Sequence, residues 1–332
     1  RSRRSLRLQG RRLLHLPRPR RRGRGGDGGE LRAGGLRGRA RLRAHLPVLP
    51  AQRPRRRQLR PVRRPAMTEP TPTEPTAEPT QFRAMDLEAY IAEGGKLTAP
   101  ENAPSRYRAE LMRLMATFVD SEMAGAAGFA DVINEAPGIE ARIAAARIVL
   151  EKHAHAAKVL AIMSAFGADA GRYAQSHPWT ARLPREADIG ASRHGEDMRL
   201  NVFHYPLAGW VDAVVMNVLM GRATVIQLEE LAHLSYQPLA EAFRAILPVE
   251  RRHAELGEEG LRRIVETGGG AAAQDSVDYW TPRVAASFGT GASGRFETHR
   301  RFGLRGTPNA ELLARWRADA TTRLAALGLT LP

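Results

Sequence analysis

From Pro137 to Gly167 the chain keeps helical periodicity with no internal proline and, after Gly138, no internal glycine. A helix of about thirty residues spans about 45 Å, and few small domains hold a rod that long. The arrangement that buries one is a bundle of rods of matching length. Pro137 suits a first helical turn, and Gly167 suits a C-terminal stop. Ile143, Ala146, Leu150, Ala154, Ala157, Leu160, Ala161 and Ser164 recur at helical spacing, which predicts that they form the buried stripe of this helix.

Companion rods lie on either side. Pro104 precedes a helix expected over 105–126, with Leu111, Leu114, Met115 and Phe118 on one face. A third follows Pro206 and runs through Trp210, Val214, Val218 and Ile226 to about residue 234. A fourth follows Pro238 through Leu239, Phe243, Leu247, His253 and Leu261 to Gly268. Residues 168–200 are polar and read as a long crossover; shorter helices are expected over 275–288 and 308–327. Two long helices, a crossover and two more give an all-α fold, a ferritin-like four-helix bundle with extra C-terminal helices. The bundle is expected over 105–268, with the C-terminal helices of 269–332 packing on it. The glycines at 268–270 join the two; no Lys-Ser or Lys-Thr follows them, so they are no phosphate loop.

Composition matters mainly for the N-terminal third. The net charge of +16 suggests a nucleic-acid binder until it is divided along the chain. Residues 1–66 hold 23 Arg, no Lys, one Asp and one Glu, which leaves 28 basic and 33 acidic residues for the remainder. The folded part is therefore mildly acidic, and no nucleic-acid partner is expected. Residues 1–66 lack aromatics and are rich in Arg, Gly and Pro, a composition that cannot offset chain entropy, so a disordered tail is expected there. The abrupt change at Met67 suggests that translation starts at that residue. Residues 67–104 read as a Thr/Glu/Pro linker and lead-in. No run of eighteen apolar residues exists, so no membrane partner is expected. The chain has no cysteine, which excludes thiolate zinc sites, cysteine-held iron–sulfur clusters and a cysteine nucleophile.

Di-metal carboxylate bundles place one acid on each of two helices and a Glu-x-x-His pair on each of the other two. The i,i+3 spacing aims both side chains at one interior point. Glu250 and His253 form such a pair in the fourth helix. In the second helix His155 is present, but the residue three before it is Lys152. Glu122 of the first helix stands 30 residues before Lys152. The parallel count, 29 residues before Glu250, falls on Gly221. Of six expected ligands the chain offers Glu122, His155, Glu250 and His253, with Glu151 as a possible substitute and Lys152 and Gly221 as degenerate positions. Asp212, Glu229 and Glu230 lie two or more turns from Gly221 and are discounted. An ammonium at Lys152 would neutralise buried carboxylates where a metal otherwise does so. That favours one metal, or none, over two.

Over most of residues 105–332 the chain resembles a ferritin-like oxygenase family of phenylacetic acid catabolism, the A-type subunits of multicomponent phenylacetyl-CoA ring epoxidases. The resemblance rests on Asp120-Ser121-Glu122-Met123-Ala124-Gly125, His153-Ala154-His155 and Phe203-His204-Tyr205-Pro206 with Trp210 and Asp212. It extends through Leu234-Ser235-Tyr236, Glu250 to His253, Trp280 with Pro282, and Leu327-Gly328-Leu329. It implies a di-iron monooxygenase subunit that inserts oxygen into the ring of an aromatic acyl-CoA, with Glu122, His155, Glu250 and His253 as iron ligands. It also implies a homologous helical scaffold subunit, a separate flavin/iron–sulfur reductase and a cytoplasmic location. Lys152 and Gly221 fall where the family carries acids. The alternative is a catalytically degenerate scaffold, or a subunit that binds an acyl-CoA or a partner.

Overall fold

The computed structural model describes residues 84–290 and 294–332, which contain helices and connections but no sheet. The expected tail over 1–66 and the Thr-Glu-Pro run after it lie outside the described residues. Helix α1 covers Ala84–Ala92, α2 Ser105–Val132, α3 Gly138–Ala165 and the one-turn α4 Ala170–Tyr173. Then follow α5 Trp210–Leu231, α6 Gln237–Ile264, α7 Gly270–Ala286, α8 Arg295–Arg301 and α9 Asn309–Ala325.

The punctuation of the sequence sets the main boundaries. Pro104 and Pro137 sit extended just before α2 and α3, and a proline lies in the first turn of α6. Gly167 takes φ +92° directly after α3, a conformation that costs glycine little. Gly268, at φ +91°, kinks the chain between α6 and α7. Helix α2 runs six residues past its expected end, to Val132.

Helices α2 and α3 form one hairpin, α5 and α6 a second, and α3 packs against α6. One core gathers Val215 and Leu219 of α5, Trp280 of α7 and Trp316 of α9. A second gathers Tyr107, Leu111 and Met115 of α2 with Leu239 and Phe243 of α6. Full burial of each such Leu, Met or Phe stabilises by about 1.5–3 kcal/mol. Leu87 and Leu97, in the lead-in before α2, join this second core. Backbone bonds from Leu97 N–H to the Ser235 carbonyl (2.8 Å) and from Gln237 N–H to the Leu97 carbonyl (2.8 Å) fasten that segment. The crossover is pinned by Asp120, whose carboxylate accepts from the Tyr173 hydroxyl (2.9 Å) and the Met198 N–H (2.7 Å). By length and composition α5 could cross a membrane, but 78% of its apolar window is buried by its neighbours, as befits a central rod.

One expectation fails. The stripe foreseen as the buried face of α3 points outward: Ile143, Ala146, Leu150, Ala154, Ala157, Ala161 and Ser164 are exposed or half-buried, and of that set Leu160 alone is buried. The face turned inward carries Ala145, Ile148, Lys152, His155, Ala156, Val159, Leu160 and Met163. The physical reason is that α3 has two apolar faces, and Lys152 and His155 lie on the one the carboxylates of α2 and α6 attract.

Candidate metal centre and adjoining cavity

Helix α2 contributes Glu122, α3 contributes Lys152 and His155, and α6 contributes Glu250 and His253; all five are buried. The Lys152 ammonium donates to Glu122 Oε1 at 3.1 Å and to Glu250 Oε1 at 3.2 Å, with Glu250 Oε2 at 3.5 Å. His155 Nδ1 lies 3.1 Å from Glu122 Oε2 and 3.0 Å from Glu250 Oε1. Burial alone would push the Lys152 proton off, but the two carboxylates outweigh it and hold the ammonium charged well above its ordinary range. Burial likewise opposes the ionised form of Glu250, and Lys152 and His155 overcome it, holding that carboxyl well below its ordinary range. For His155, burial works against the charged ring, while its bonds to Glu122 and Glu250 carry the pKa up to about 9. At neutral pH the cluster is therefore two carboxylates facing an ammonium and an imidazolium.

Donor atoms of Glu122, His155 and Glu250 all lie within 4.8 Å of one another, a spacing that could surround one ion. The same carboxylates, however, already face Lys152. Two irons do not fit these residues. A di-iron centre needs four carboxylates to offset its charge, and here one of them is a cation and another is absent.

The absent one is Gly221 of α5, which packs on α6: a Cβ built there would stand 3.3 Å from Ala254 Cβ and 3.4 Å from Ala254 Cα. A small cavity of about 30 Å³ adjoins it, with Gly221, Lys152, Glu250, Asn217 and Phe203 in its lining.

His253 is only partly drawn in. Its Nδ1 is 3.4 Å from Glu250 Oε1, and its Nε2 pairs instead with Glu151 Oε2 at 2.6 Å. Glu151 thus holds His253 and does not stand in for the acid missing at 152. Asp212 is engaged by Arg185, the Ala208 N–H and the indole of Trp280. Glu229 pairs with Arg251 and Arg315, and Glu230 caps Gly306 and Thr307. None of these three approaches the cluster.

A cavity of about 380 Å³ opens beside Glu122, between α2 and α5. Leu114, Phe118, Phe203, Leu228 and Phe288 line its apolar wall, and Ser121 and Glu122 line it on the side of the cluster. Arg113, Arg193, Arg305 and His299 also line it; His299 Nε2 bonds Glu110 Oε2 at 3.0 Å, and Arg305 donates to Gln227 and Asn309. Sequence reasoning missed this cavity. A signal was present in α2, where Glu110, Arg113, Leu114, Thr117, Phe118 and Ser121 follow one another at helical spacing toward Glu122. The residues brought from α8 and the crossover carried no such pattern.

The family model described as "Phenylacetic acid catabolic protein" matches residues 81–332. Among curated relatives, the A component of the 1,2-phenylacetyl-CoA epoxidase of Escherichia coli (strain K12) is 24% identical over 254 residues, which cover 74% of this chain and 76% of that component.

Proposed function

The chain belongs to the phenylacetic acid catabolic protein family, and on that premise we propose that it is the A-type oxygenase subunit of a ring-epoxidising complex that takes an aromatic coenzyme A thioester. The observation that carries this reading is the cavity, with aromatic rings on its wall, Glu122 on one side and several cationic side chains around it. A phenyl ring would pack among Phe118, Phe203 and Phe288, and Arg113, Arg193 and Arg305 would meet the phosphates of the coenzyme. The apolar wall would keep water from the ring. Helical companion and flavin/iron–sulfur reductase subunits would complete the complex, in the cytoplasm where such a thioester is available.

Lys152 favours a second reading of the same subunit. With an ammonium bonded to both Glu122 and Glu250, the chain binds and presents the thioester within the complex without iron of its own. Glu122, His155 and Glu250 would hold at most a single ion, and only after Lys152 is displaced.

Two measurements on the full chain test these readings, and the second separates them. Calorimetric titration with phenylacetyl-CoA is expected to give one micromolar site, weakened about tenfold or more by Phe118→Asp or Arg113→Glu. No thioester binding would overturn both readings. Iron analysis after growth in iron-rich medium is expected to find essentially none, and a Lys152→Glu, Gly221→Asp double variant is expected to gain it. Two irons per wild-type chain would overturn the second.

A further inference from the structure

Large apolar side chains are rarely left in water along a continuous line. Four are exposed among the described residues, and three of them, Ile139 (70%), Ile143 (53%) and Leu150 (70%), belong to α3. Ala146, Ala154, Ala157 and Ala161 lie along the same helix. At 100° per residue all seven project within about 40° of the Leu150 direction, in a strip about 33 Å long. No other element of the described chain covers this strip.

The order of residues along the strip is symmetric about Leu150. Ile139 and Ala161 lie equally far from it, as do Ile143 and Ala157, and Ala146 and Ala154. We propose that a second copy of this chain packs antiparallel on this face, α3 against α3, about a two-fold axis through Leu150. A C2 contact of this kind must be self-complementary, and here it is. Both isoleucines meet a small residue: Ile139 meets Ala161 of the other copy and Ile143 meets Ala157, while Leu150 meets Leu150 on the axis. A parallel pairing would set isoleucine against isoleucine and alanine against alanine, and would leave a wedge-shaped gap.

Charge supports the same register. The two-fold brings one flank of the strip opposite the same flank of the other copy, reversed. That flank carries Glu140, Arg147, Glu151 and Lys158. Reversal places Glu140 beside Lys158 and Arg147 beside Glu151, so both acids face bases. Among the described residues Glu140 approaches only the exposed Arg263, at 3.9 Å, and Glu151 commits Oε2 to His253. These observations concern the outer face of α3, and the proposal stands whether or not the cavity takes a thioester.

The chain has no cysteine, which makes the register directly testable in the full-length protein. Under mild oxidation Leu150→Cys is expected to give a disulfide-linked dimer on a non-reducing gel, because the axis brings the two thiols within bridging distance. Ile139→Cys alone and Ala161→Cys alone are expected to stay unlinked, and a mixture of the two to cross-link. By light scattering the wild-type chain is expected to be a dimer, and Leu150→Arg to weaken it about tenfold or more with an unchanged circular dichroism spectrum and melting temperature. A wild-type monomer at micromolar concentration would overturn the proposal. So would a dimer indifferent to Leu150→Arg, self-linking of Ile139→Cys, or a strip that Leu150→Arg shows to be occupied only by a different subunit.

Discussion

The hairpins α2–α3 and α5–α6 hold equivalent places in the bundle, and each departs in a different way from the acid that a di-metal carboxylate bundle carries there. The first keeps Glu122 and His155 and has a cation at 152. The second keeps the Glu250–His253 pair and has no side chain at 221. One position carries a cation where such a bundle has an anion; the other has no side chain, and there α5 lies close against Ala254. Together they leave two carboxylates facing one ammonium and one protonated imidazole, so the interior balances its own charge. With four carboxylates the same interior would need an outside cation. The contrast shows that a polar core can be rebuilt by compensating its charge rather than by making it apolar.

Removing the compensating cation is the most severe way to break this balance. Lys152→Met is expected to cost about 3–5 kcal/mol in urea unfolding near neutral pH, because two buried carboxylates lose their partner. A cost below about 1 kcal/mol would mean that the hairpins do not depend on each other's charge.

Raising the pH tests the second cation. His155 keeps its proton to about 9 in the folded chain, against about 6.5 when unfolded. Its contribution is therefore complete below about 6.5 and is lost as pH rises through about 9, up to about 3 kcal/mol in all. Unfolding midpoints measured from about pH 6 to about pH 10 should fall over that window, and His155→Gln should flatten the fall. A pH-independent midpoint in the wild type would show that the ring is neutral.

The mildest change sharpens the comparison from the side of the second hairpin. Gly221→Ala gains helix propensity but presses a methyl on Ala254, for a net loss of about 1 kcal/mol. Adding Ala254→Gly should recover most of it. A stabilised single variant would show that α5 and α6 are not in tight contact there.

Much of this was legible in the sequence where a local rule had only one outcome. Pro104, Pro137 and Gly167 each mark a helix boundary, and the 30-residue separation of Glu122 from Lys152 folds back to a 3.1 Å contact. The register of α3 was not legible. Periodicity reports that a helix has an apolar face but not which neighbour covers it, and α3 has two candidate faces. His253 was placed by spacing in the shared centre, yet it turns its Nε2 to Glu151, because a carboxylate one turn earlier on the facing helix competes for it. The cavity was hidden for a different reason: its lining is drawn from segments far apart in the chain, and no local pattern records their meeting.

The ammonium of Lys152 has a further consequence for how the protein matures. A bundle that needs a loaded metal to quiet its interior acids ties its folding to supply of that metal. In this chain the counter-ion is made on the ribosome with everything else, so its yield and melting temperature should be the same from iron-starved as from iron-replete cells.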